Sequence, residues 1–76
     1  MATTRAVLNV PSISCNHCKM AIENAVDELD VDSVLVDVGE KTVTVEFETG
    51  AITLEDVEAA VTGEGYEVAG RHVFEG

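Results

Sequence analysis

Cys15 and Cys18 are the residues of this sequence that most clearly carry chemistry. They are the only cysteines in 76 residues, and two positions separate them in Ser14-Cys15-Asn16-His17-Cys18. A disulfide between them would close almost no loop and so add little stability. A secreted disulfide scaffold would hold four or more cysteines. The pair therefore reads as a metal site or a redox site. Two thiolates with no further ligand in the motif make a soft, low-coordinate site that suits Cu(I), whereas Zn²⁺ prefers four ligands and would need two more. Other soft or thiophilic divalent ions stay open on the same sulfurs. A thiol–disulfide redox protein is the second reading, weakened by the small size of the chain and its single proline, Pro11.

Three neighbours qualify the pair. His17 lies between the cysteines, but its side chain points away from the sulfurs when both face one ion, so it reads as an exposed residue that tunes the charge of the loop. Lys19 follows Cys18 and either offsets an anionic bis-thiolate at short range or stands as an exposed helix cation. Met20 reads as packing or rim filler.

The elements that must position these residues are legible from period and punctuation. Ala6 to Val10 alternates and is ended by Pro11, which reads as a strand. From His17 to Leu29 the period turns helical, with Cys18, Ala21, Ile22, Ala25, Val26 and Leu29 on one side and Ser14 or Asn16 as the N-cap. Val31 to Val38 alternates again, Gly39-Glu40 is a turn, and Lys41 to Glu48 returns with Val43, Val45 and Phe47 inward, which makes a hairpin. Thr53 caps a second helix with Asp56 three residues on. That helix buries Leu54, Val57, Ala60 and Val61, and Gly63 is its expected stop. Tyr66 to Ala69 is the expected last strand, with Arg71 to Gly76 its extension or a tail.

Strand, helix, strand, strand, helix, strand, with right-handed crossovers, puts both helices on one face of one sheet. The expected class is α+β: a ferredoxin-like βαββαβ sandwich with a four-stranded antiparallel sheet. The cysteine pair then falls where the first strand passes into the first helix. Free N–H groups and the positive end of the helix dipole favour thiolate there.

Composition narrows the function further. The expectation is one domain over 1–76, with no cleft of the kind most enzymes need, hence no catalysis. Fifteen acidic residues against four basic ones give a net charge of −11. That excludes nucleic acid and anionic membrane surfaces as partners. The acidic surface fits solubility, a high-salt cytoplasm or a docking face for a basic partner. No apolar run reaches the ~20 residues of a membrane span. Met1 to Arg5 lacks the pattern of a signal peptide. The expected location is the cytoplasm.

Leu8-x-Val10-x-x-Ile13-x-Cys15-x-x-Cys18, the hairpin from Val34 to Phe47, and Gly65-Tyr66 after the second helix together resemble the heavy-metal-associated domain. The likeness runs from about Val7 to Ala69 and is nearest to the small bacterial and archaeal copper chaperones. It implies Cu(I) held by Cys15 and Cys18, and delivery to the metal-binding domain of a copper-transporting P-type ATPase. A monomer when metal-free, with copper able to bridge two chains, follows from exposed thiolates. The resemblance also puts Tyr66 near the thiolates, where its hydroxyl can donate to sulfur. The family usually has Gly-Met before x-Cys; Ser12 and Ile13 stand there instead, and Ile13 is expected to pack beneath the loop as that Met does. A metal-binding domain of a P-type ATPase, or of a mercury- or zinc-handling system, is the alternative within the same likeness.

Overall fold

The computed structural model describes residues 2–75. It contains β1 (Thr3–Asn9), α1 (Asn16–Asp27), β2 (Ser33–Asp37), β3 (Thr42–Glu48), α2 (Leu54–Gly63) and β4 (Gly70–Glu75). The four strands form one antiparallel sheet in the order β2-β3-β1-β4. This is the expected ferredoxin-like sandwich.

Register follows from the alternation. Ala6 pairs with Val45 and Leu8 with Val43, while Val34 and Val36 of β2 oppose the same two valines from the other side. All these side chains therefore share the face under the helices. Ile22 and Val26 of α1 and Val57 and Val61 of α2 close the core from above, each with no exposed surface. Leu8, Val10 and Ile13 are equally buried, so the chain enters the thiol loop from a fixed base. Met20, expected as packing or rim filler, is 58% exposed and so lies outside the core.

Four boundaries differ from the sequence expectation, and each difference bears on the site. The N-cap of α1 is Cys15, not Ser14 or Asn16, and no side chain caps the helix. The hairpin does not turn on Gly39-Glu40 alone. Asp37 pairs with Thr42, leaving a four-residue connection over 38–41. In it Asp37 Oδ1 accepts the Glu40 N–H at 3.0 Å, and Lys41 takes the left-handed backbone at φ 58°. Gly63 is the last residue of α2, and the residue that ends the helix is Gly65, at φ 92°. The last strand is Gly70–Glu75 instead of Tyr66–Ala69, because β1 ends at Asn9, which pairs with Gly70. Of residues 66–69, Ala69 alone makes a backbone bond to β1, donating to the Asn9 carbonyl at 2.7 Å. Gly76 of the expected tail lies outside the described residues.

Two caps place the second helix. Thr53 and Asp56 form a reciprocal capping box at its start. At its end the Gly65 N–H reaches the Thr62 carbonyl (2.9 Å) and the Tyr66 N–H reaches the Val61 carbonyl (3.4 Å), the pattern of a Schellman motif with glycine at the left-handed position. This motif reverses the chain and delivers Tyr66 back toward the core, against which it packs.

The two glycines make the point testable. A Cβ at either one meets nothing within 4 Å, but only Gly65 has a positive φ. Gly65→Ala should therefore destabilise by about 1–2 kcal/mol through backbone conformation alone, while Gly63→Ala should stabilise by roughly 0.5–1 kcal/mol. Urea denaturation of the two variants measures both signs.

Candidate metal centre

The loop between β1 and α1 is short and tied at each step. Pro11 and Ser12 form a turn closed by the Ile13 N–H donating to the Val10 carbonyl at 3.1 Å, with Pro at the position its fixed φ favours. Ile13 then inserts into the core with no exposed surface. Cys15 opens α1, its carbonyl accepting the Lys19 N–H at 3.2 Å. Cys18 lies in the first helical turn. The two sulfurs are 3.7 Å apart, and both cysteines are free, Cys15 exposed and Cys18 partly covered.

Negative charge is favoured at this place. The first turn of α1 has no acidic residue, whereas that of α2 holds Glu55 and Asp56. The uncapped N–H groups and the dipole of α1 are thus left to the sulfurs. The Cys18 thiol is lowered from 9.0 to about 6, chiefly because the Tyr66 hydroxyl donates to it, then because the Ser14 backbone and the Cys15 groups do; partial burial opposes the shift. The same interaction pushes the Tyr66 phenol up, its proton being held by Cys18. Ser14 adds a hydroxyl 4.0 Å from the Cys18 sulfur.

Of the residues singled out by sequence, the structure brings Cys15, Cys18 and Tyr66 together, with Ile13 beneath them. His17 is exposed on the first helical turn. Among the described residues no group of three or more His, Cys, Asp or Glu side chains converges, so His17 does not join the sulfurs. Lys19 lines a surface cleft toward the hairpin with Asn16 and Asp37. Two contributors escaped the sequence reading. Ser14 was a helix-cap candidate, but its donors face Cys18. Lys41, from the hairpin, donates its Nζ to the Ile13 carbonyl at 2.6 Å; nothing in the local sequence ties a turn lysine to a loop 28 residues away.

Residues 7–67 match the heavy-metal-associated domain. The chain belongs to that family. It is 35% identical over 63 residues to the copper chaperone CopZ of Staphylococcus haemolyticus, covering 82% of this chain and 93% of that protein. A heavy metal binding protein from Thermotoga maritima superposes with a TM-score of 0.79 at 44% identity, over 90% of this chain and 96% of that one. The N-terminal domain of a potential copper-translocating P-type ATPase from Bacillus subtilis, in its Cu(I)-loaded state, has the same fold. Its TM-score is 0.81 at 26% identity, over 92% of this chain and 91% of that domain. No helix among the described residues is long and apolar enough to cross a membrane.

The Cys18 shift has a definite sign. A thiol whose pKa falls from 9.0 to about 6 is mostly thiolate at pH 7 and becomes protonated only as the pH drops through about 6. The Cys18 ¹³Cβ resonance of the metal-free protein should therefore inflect near pH 6. Tyr66→Phe, which removes the largest donor, should move that inflection upward toward the ordinary thiol range; an unmoved inflection would refute the role given to the hydroxyl.

Proposed function

We propose that this protein carries one Cu(I) between Cys15 and Cys18 and passes it to the metal-binding domain of a copper-transporting P-type ATPase in the cytoplasm. The observation that carries the reading is the pair of free sulfurs 3.7 Å apart on a solvent-facing loop. With metal–sulfur bonds of about 2.3 Å, that separation corresponds to a bent S–metal–S angle of about 107°. Opening toward the linear arrangement needs the sulfurs to part by roughly 0.9 Å, which side-chain rotation on an exposed loop can supply. Two soft donors without a convergent third His, Cys, Asp or Glu among the described residues suit Cu(I) better than an ion that wants four ligands.

The chemistry is ligand exchange, not catalysis. A partner thiolate adds to the ion from the open side, a three-coordinate intermediate forms, and one bond to this chain is lost as each new one is made. No electron moves, and each cysteine released here recovers a proton or stays thiolate as the pH dictates. The low pKa of Cys18 keeps its sulfur ready to take the ion back or release it without waiting for deprotonation. Relatives named for copper, and an ATPase domain of the same fold described in a Cu(I)-loaded state, support both the ion and the kind of partner. A donor and an acceptor of one fold present similar sites, so exchange runs with little free-energy drop and in either direction. The exchange needs reduced thiols, which a reducing compartment maintains, and this supports the cytoplasmic reading. Without metal the chain is a monomer, and Cu(I) can bridge two copies through their exposed sulfurs.

The same short separation also favours a redox reading, since the sulfurs need only close from 3.7 Å to the ~2.05 Å of a disulfide. Oxidation would then remove both ligands at once. An anaerobic competition for Cu(I) against a chromophoric chelator separates the two. The reduced protein should take one equivalent, and Cys15→Ser and Cys18→Ser should each weaken binding by at least about a hundredfold, the upper end of what loss of an outer partner alone costs. Undiminished binding in both variants would reject the site. Absence of copper uptake, with a reduction potential in the range of cytosolic redox proteins, would favour the redox reading.

A further inference from the structure

The connection between β2 and β3 holds a lysine in a conformation lysine seldom adopts. Lys41 has φ 58°, while Gly39, two residues earlier, is not in the left-handed region. A side chain there crowds the backbone, and glycine would fill the position without that cost. The backbone alone gives no reason for a lysine. Its side chain does: half-buried, it donates from Nζ to the Ile13 carbonyl at 2.6 Å. The Lys41 carbonyl, in turn, accepts the Val10 N–H at 2.9 Å. One hairpin residue thus grips both ends of the Pro11-Ser12 turn that leads into Cys15.

The choice of acceptor is informative. In a chain with fifteen acidic residues, Arg5 pairs with Glu46 and Arg71 with Glu58, yet the Lys41 ammonium is spent on a carbonyl. That carbonyl and the Ser14 N–H are the two ends of one planar peptide group. A cationic donor on the oxygen polarises the group and strengthens the N–H at its other end. Ser14 faces the Cys18 sulfur, its hydroxyl 4.0 Å away.

We propose that Lys41 is the positioning residue of the thiol loop: by holding the Ile13 carbonyl it fixes the Ile13–Ser14 peptide, keeps the Ser14 donors on Cys18, and so sets how fast the loop receives and releases Cu(I). Only the last step rests on the carrier reading; the clamp itself belongs to the metal-free protein.

Lys41→Gly and Lys41→Asn both tolerate the left-handed backbone and both remove the ammonium, while Lys41→Arg retains a cation that can reach a carbonyl. In the metal-free protein the first two should keep or exceed the wild-type Tm. Their amide hydrogen exchange at Ser14, Cys15 and Asn16 should nonetheless rise roughly tenfold, the effect of losing one charge-assisted hydrogen bond, and Lys41→Arg should restore it. Loaded with Cu(I), the same two variants should yield the ion to a chelator several-fold faster, with Lys41→Arg near wild type. Wild-type exchange at Ser14 to Asn16 in both variants would overturn the clamp, as would a uniform rise across the sheet with a lowered Tm. A clamp that is lost without any change in copper release would overturn the step to transfer. Failure of the wild-type protein to bind Cu(I) would count against the carrier reading, and the metal-free measurement would still decide the clamp.

Discussion

Two sulfurs 3.7 Å apart that are both to be thiolates repel each other, and a surface of net charge −11 does nothing to relieve them. The relief has to be local. It comes from donors: the unpaired N–H groups and dipole at the start of α1, the backbone of Ser14, and the hydroxyl of Tyr66. Each of these acts only if held within hydrogen-bond reach, because a donor displaced by an ångström or two contributes little. The rest of the fold is the means of holding them there. Ile13 is buried, the Pro11-Ser12 turn is closed on itself, and the hairpin lysine binds the Ile13 carbonyl.

The same arrangement explains why so small a protein can present a reactive pair on its surface. The core is thin, as expected for its length, but it lies directly beneath the loop: Leu8, Val10 and Ile13 have no exposed surface. The anchors are apolar and internal, and the sulfurs are polar and external. Rigidity and access are therefore supplied by different residues. Tyr66 arrives by a separate route, from the end of α2, where the left-handed Gly65 turns the chain back over the core. Two helix termini, one starting and one ending, thus meet at the site with opposite tasks, the first stabilising charge and the second bringing a donor to it.

Membership in the heavy-metal-associated family and the βαββαβ order agree with what the residue pattern implied. The inward valines of β2 and β3 stand where alternation put them, and Thr53 with Asp56 makes the capping box its spacing suggested. The differences lie at the boundaries of the elements. The residue pattern points to Ser14 or Asn16 as the cap, Gly39-Glu40 as the turn, Gly63 as the helix stop and Tyr66 to Ala69 as the last strand. At the first three a neighbour one or two positions away takes the role, and at the fourth a strand distant in sequence decides. Cys15 took the cap position, Lys41 took the left-handed place, Gly65 ended the helix, and Asn9, the last residue of β1, determined where β4 could begin pairing.

Hydrophobic period and turn residues act over a few positions, so the order of elements, the inward faces and the place of Cys15 and Cys18 at a strand-to-helix junction were determined by the sequence itself. The charge state of Cys18 was not. It depends on Tyr66, 48 positions beyond Cys18 by their numbers, and on a loop held by Lys41, 28 residues from its acceptor. Electrostatic and hydrogen-bond terms fall steeply with distance in space and have no memory of distance along the chain. Only the folded structure could decide which of the surrounding donors reach the sulfur.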